Sequence, residues 1–108
     1  MKEPMKKQSP SPPHQSTHVL RLFIGTPSAK SDRAVKNLQK VCEEHLHGRY
    51  DLVVIDIRKE AQLAREAQIV AVPTLIKHLP LPFQRLVGDM SDLRQVLFGL
   101  GLRLRGHT

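Results

Sequence analysis

The side chains of this chain that could do chemistry are few, and their spacing defeats most of it. One cysteine, Cys42, and six histidines supply all the thiol and imidazole in 108 residues. A disulfide oxidoreductase needs a low-pKa thiolate at the start of a helix and a second cysteine three residues on. Here the loop opening the first helix reads Thr26-Pro27-Ser28-Ala29, without a thiol, and Cys42 falls mid-helix on an apolar stripe, the place of a small buried hydrophobe. Ser28 with Pro73 is the one pairing that would suit glutathione binding on a related scaffold, although serine serves turns more often. His45 and His47 are two apart and project from different sides of a helix, so they cannot share a metal. His14, His18, His78 and His107 stand alone, as solvated or locally hydrogen-bonded rings do. Asp51 and Asp56 bracket an apolar strand rather than face each other. No glycine-rich phosphate loop follows the first strand. These residues support no catalytic, cofactor or metal site.

The elements that must position them follow from hydrophobic period. Val19 to Ile24 is a short branched and apolar run stopped by Gly25-Thr-Pro-Ser, the pattern of a buried strand. From Ser31, which can cap the start, Ala34, Val35, Leu38, Val41, Cys42 and Leu46 recur at helical steps up to Gly48. Leu52 to Ile57 reads as a second buried strand, so strand–helix–strand is a parallel crossover unit. A second helix is expected over Ala61 to Ile69, a third strand from Val72 to Lys77, and a hairpin partner over Phe83 to Val87, after Leu79-Pro80-Leu81-Pro82 forbids a helix. Ser91 can cap a last helix carrying Leu93, Val96, Leu97 and Leu100 on one face, which Gly99 and Gly101 weaken by about 1 kcal/mol each relative to alanine. The order βαβαββα predicts an α/β, thioredoxin-like domain over 19–102, between a disordered Pro-rich basic tail over 1–18 and a basic C-terminal tail over 103–108.

Seventeen Lys and Arg against ten Asp and Glu give a net charge of +7. Much of it sits in the tails, in Lys2, Lys6, Lys7, Arg103 and Arg105, and suits an acidic partner. With no Trp, one Tyr and three Phe, the chain has little from which to build a stacking platform for nucleic acid. The first 18 residues hold no apolar run of the kind a secretory signal needs, which predicts a cytoplasmic protein with no membrane partner.

Val19-Leu-Arg-Leu-Phe-Ile, Tyr50-Asp-Leu-Val-Val-Ile-Asp-Ile, Gln62-Leu-Ala, Ile69-Val-Ala-Val-Pro-Thr-Leu, Lys77-His-Leu-Pro-Leu-Pro and Leu86-Val-Gly-Asp-Met-Ser-Asp together resemble the KaiB family of circadian clock proteins, from about Val19 to Leu102. The pattern is also similar to the sensor domain of the clock histidine kinase SasA, a free-standing KaiB-like protein being the better match. The resemblance implies a non-enzymatic regulator that binds a KaiC-type ATPase, with a SasA-like kinase as a further partner, in a circadian or simplified timing or stress-response system. It also implies self-association to a dimer or tetramer, and exchange between the thioredoxin-like form and a tetrameric ground state of order βαββααβ. The exchange would rebuild about Lys59 to Leu102, with Pro73, Pro80, Pro82, Gly99 and Gly101 as the pivotal positions. The family's basic cleft falls on Arg33, Lys77 and Arg85, with Lys59 as a further candidate. Departures from the family pattern are Gly25-Thr-Pro-Ser-Ala in the first loop, His18 in place of an aromatic residue, Gly99-Leu-Gly101 in place of Gly-x-Asp, and a basic rather than acidic C-terminus. Asp51 and Val53 replace Ala-x-Lys on the second strand, which argues against KaiA as a partner. A glutathione-binding module and a small nucleic-acid-binding protein are the alternative readings.

Overall fold

The computed structural model describes residues 17–102. Its elements run β1 (His18–Ile24), α1 (Ala29–Leu46), β2 (Tyr50–Asp56), α2 (Ala61–Glu66), β3 (Thr74–Leu79), β4 (Gln84–Val87) and α3 (Leu93–Leu100). This is the expected order. The sheet order is β2-β1-β3-β4, with β1 parallel to β2 and antiparallel to β3, and β3 antiparallel to β4. The C-terminal tail over 103–108 and all but Thr17 and His18 of the N-terminal one lie outside the described residues, and His18 opens β1.

The two faces of the sheet are unequally covered. On one, Leu20, Leu22 and Leu75 meet Ala34, Leu38, Val41, Cys42 and Leu46 of α1 and Val96, Leu97 and Leu100 of α3 in the main core. Each fully buried leucine there contributes about 2 kcal/mol by removing apolar surface from water. On the other face a small cluster, Phe23, Ile55 and Ile76, is covered by Ile57, Ala67 and Ile69.

Several boundaries differ from the expectation for local reasons. α1 is capped by Ser28, whose hydroxyl accepts from the Ser31 amide at 3.1 Å, so Ser31 lies inside the helix and is buried. The left-handed His47 closes its other end, ahead of Gly48. α2 stops at Glu66 because Gln68 turns left-handed (φ 56°), which sends Ile69 into the small core. Asp92, not Ser91, caps α3, accepting from the Gln95 amide at 3.2 Å. The bonds preceding Pro73, Pro80 and Pro82 are all cis.

The two glycines of α3 are put to use. A Cβ on Gly99 would stand 2.6 Å from Leu86 Cδ1, so glycine is what lets α3 lie close on β4. Gly101 ends the helix in a left-handed conformation (φ 78°), donating its amide back to Phe98. β2, expected to be buried, is instead an edge strand with Val53 40% exposed, because β3 inserts on the other side of β1.

Candidate partner-binding surface

The four basic candidates occupy distinct settings. Arg33 is exposed on α1, its Nε donating to Asp89 Oδ2 at 3.1 Å. Ser91, and then Arg33, hold the Asp89 carboxyl down to about 2. Lys59 is exposed in the turn after β2, its amide donating to the Asp56 carbonyl at 3.0 Å. Arg85 is paired with Ile76 across the hairpin and shares its face, where its guanidinium donates to the Ala67 and Gln68 carbonyls at 2.8 and 3.3 Å and ties down the end of α2.

Lys77, one residue on, points to the α1/α3 face and is only 2% exposed. Its ammonium lies beside Gly101, 3.6 Å from where a Cβ would stand, and burial lowers its pKa. The end of α3 carries the negative end of the helix dipole, a favourable neighbour for that cation. In this fold, then, Lys77 and Arg85 lie on opposite faces of the sheet.

The α2 face carries a feature with little sign in the sequence. A groove of about 260 Å³ runs between α2 and the bare part of the sheet, floored by Phe23, Ile55, Leu63 and Ala67 and flanked by Arg21, Glu66 and His78. It exists because α2 is six residues long and buries none of them fully, too little to cover four strands. The signal was Arg21, a charge in the middle of an otherwise apolar strand, which marks a face that is not closed over. The groove opens toward β2, whose outer edge has no partner strand among the described residues and exposes Asp51 and Val53. Unpaired amides and carbonyls beside an apolar floor can take an added strand with its side chains lodged in the groove.

The remaining candidates are structural in their contacts. The Ser28 hydroxyl serves the start of α1. Cys42 is fully buried, and burial, then the nearby Glu43 charge, pushes its thiol up to about 12. Among the described residues no three His, Cys, Asp or Glu side chains gather in a way that could hold a metal ion, and no helix is long and apolar enough to cross a membrane.

Residues 21–102 match the KaiB domain model. The chain belongs to the KaiB family. It is 46% identical over 88 residues to the circadian clock oscillator protein KaiB of Synechococcus elongatus, covering 82% of this chain and 86% of the relative. It is 44% identical over 84 residues to circadian clock protein KaiB3 of Synechocystis sp., covering 78% and 82%. Both relatives are named as circadian clock proteins. Among solved structures, the N-terminal domain of Synechococcus elongatus SasA superposes with a TM-score of 0.68 at 23% identity, covering 96% of this chain and all of that one. Chloroplastic thioredoxin z superposes at 0.62 with 21% identity over 79% of each chain. At those identities the likeness is one of fold, and this KaiB-family chain has the thioredoxin-like architecture.

Proposed function

We propose that this KaiB-family protein is a non-enzymatic regulator that docks on a KaiC-type ATPase in its thioredoxin-like form and thereby alters the output of a timing or stress-response system. The observation that carries the reading is that a chain of KaiB sequence takes the fold of the SasA N-terminal domain over nearly its whole length. Two clock proteins of one fold can compete for one docking place on the same ATPase. The α2 groove and the open β2 edge offer the contact surface, with Arg85 setting the position of α2. Arg33 and Lys59 add exposed cations, while Lys77 acts from within by holding the end of α3. Asp51 and Val53 make the β2 edge acidic and apolar, which disfavours KaiA there. The rebuilding of about Lys59 to Leu102 into a second, self-associating form belongs to the same reading.

The test is a pull-down with the KaiC-type ATPase of the same cell, in ATP and in ADP, comparing wild type with Arg33→Glu, Arg85→Glu and Leu63→Asp. These positions are exposed, so the variants should fold, which circular dichroism checks. Nucleotide-dependent capture, weakened at least tenfold by Leu63→Asp and Arg85→Glu, is the expected result. Wild-type protein that ignores the ATPase in both nucleotides refutes the proposal. Capture that all three variants retain moves the contact away from this surface.

A further inference from the structure

His18 opens β1 and is 8% exposed, yet one of its two ring nitrogens has no partner. Nε2 lies 2.8 Å from the Leu100 carbonyl oxygen and donates to it, since a carbonyl can only accept. Nδ1 is buried and has no hydrogen-bond partner, so a proton there would go unsatisfied and the neutral ring is the form that fits. The ring is thus built into the fold in its neutral form, and its hydrogen bond reaches the last residue of α3 across 82 residues of sequence.

The surroundings oppose a second proton. Lys77 of β3 is buried on the same face, with its ammonium beside Gly101, and Arg49 lies in the turn whose carbonyl accepts from the His18 amide at 3.1 Å. Opposite on β2 stands Tyr50, whose hydroxyl donates to Glu43 of α1 at 2.6 Å and so occupies one of that carboxylate's oxygens. The last turns of α1 also carry the exposed Glu44 and the half-buried His45. α3 presents only its backbone carbonyl here, as its one charged side chain, Arg94, is exposed near the other end. Burial first, then the charges of Lys77 and Arg49, push the imidazole pKa below its ordinary 6.5, and the bond to Leu100, which favours the cation, is outweighed.

We propose that His18 is a proton-operated latch for the C-terminal turn of α3: the neutral ring holds that turn on the sheet, and the protonated ring releases it. The imidazolium would bring a Nδ1–H with no acceptor into a buried site next to an ammonium, and it reaches water only if the turn above it lifts. β1 is the fixed side of the pair, because the His18 amide is bonded to Arg49 and the strand lies between two others. Release uncovers Leu97 and Leu100, which close the main core. The direction follows from proton counting: with a folded-state pKa below 6.5, the open state binds the extra proton first. The closed state is therefore fully favoured above pH 6.5 and loses ground as pH falls from 6.5 to the folded-state value, below which the loss is complete. One proton limits the change in the opening constant to about tenfold per pH unit within that window.

The experiment is amide hydrogen exchange on the whole protein between pH 5 and 8, corrected for the intrinsic pH dependence of exchange, together with an NMR titration of the ring protons of His18. The Gly101 and Leu102 amides, which bond back to Phe98 and Leu97, report the turn. In wild type their opening constant should climb below pH 6.5 by up to about tenfold per unit, while His18→Gln, which keeps an amide donor but cannot titrate, should stay level. Lys77→Met should move the onset of ring protonation to higher pH. An equal acid response in wild type and His18→Gln overturns the latch, as does a His18 ring that titrates at its ordinary value; the ring titration decides the matter if the glutamine variant does not fold.

Discussion

Removing the Arg85 side chain tests how α2 is held over the groove. The helix has six residues, none of them buried, so packing alone anchors it weakly. Arg85 supplies two hydrogen bonds to its C-terminal end, at 2.8 Å to Ala67 and 3.3 Å to Gln68. A hydrogen bond from a charged donor contributes roughly 1.5–3 kcal/mol where water is excluded. Arg85 is exposed and the second contact is long, so water competes for both, and about 1 kcal/mol for the pair is the reasonable figure. That corresponds to about a fivefold larger opening constant for α2 in Arg85→Ala. The readout is native-state amide exchange at Ala67, Gln68 and Ile69, whose amides close the end of the helix. The increase should be confined to these residues, with α1 amides such as Leu38 unchanged, and Arg85→Lys should recover part of it by keeping the charge with fewer donors. Unchanged exchange at 67–69, or an equal rise throughout the molecule, would show that Arg85 does not hold α2.

Leu38→Ala, in the middle of the main core, should cost about 3 kcal/mol and lower the urea midpoint without changing the slope. Asp89 should titrate near pH 2 by carbonyl NMR, so whatever stability it lends is complete above its ordinary 3.8 and lost as pH falls from there to about 2. Arg33→Ala should raise that value only part of the way, because Ser91 contributes more than Arg33. Cys42 should resist a thiol reagent at neutral pH until the protein is unfolded in denaturant, its modification rate tracking unfolding.

Much of the architecture was legible because period and turn chemistry agree in this chain. Leu38, Val41 and Cys42 announced α1, and the proline pair at 80 and 82 separated the hairpin strands. What was not legible depends on neighbours remote in sequence. Leu52 to Ile57 has the apolar content of a buried strand, and only the placement of β3 beside β1 leaves it at an edge. Gly99 looked like a weak point in a helix because the Leu86 contact that requires it lies 13 residues away in sequence and on another element. The basic trio carried over from the family resemblance divided for an equally local reason: β-strand alternation sends Lys77 under α3 and leaves Arg85 on the α2 face. His18 stands alone in sequence, and nothing there indicates that residue 100 returns to cover it.

The open side of β2 also faces every other copy of the protein in solution. Natural edge strands are commonly guarded by lysine, proline or a bulge that spoils pairing with a stranger. β2 runs seven residues in regular register with β1, contains no proline or lysine, and exposes Val53 at its middle. A guard charge is missing at the middle of the strand, and Asp51 and Asp56 toward its two ends are the charges it carries. Two molecules meeting at this edge, longer than the four-residue β4 at the other side of the sheet, would continue one sheet into the next, so Val53→Lys should suppress light scattering at high concentration while leaving the cores untouched.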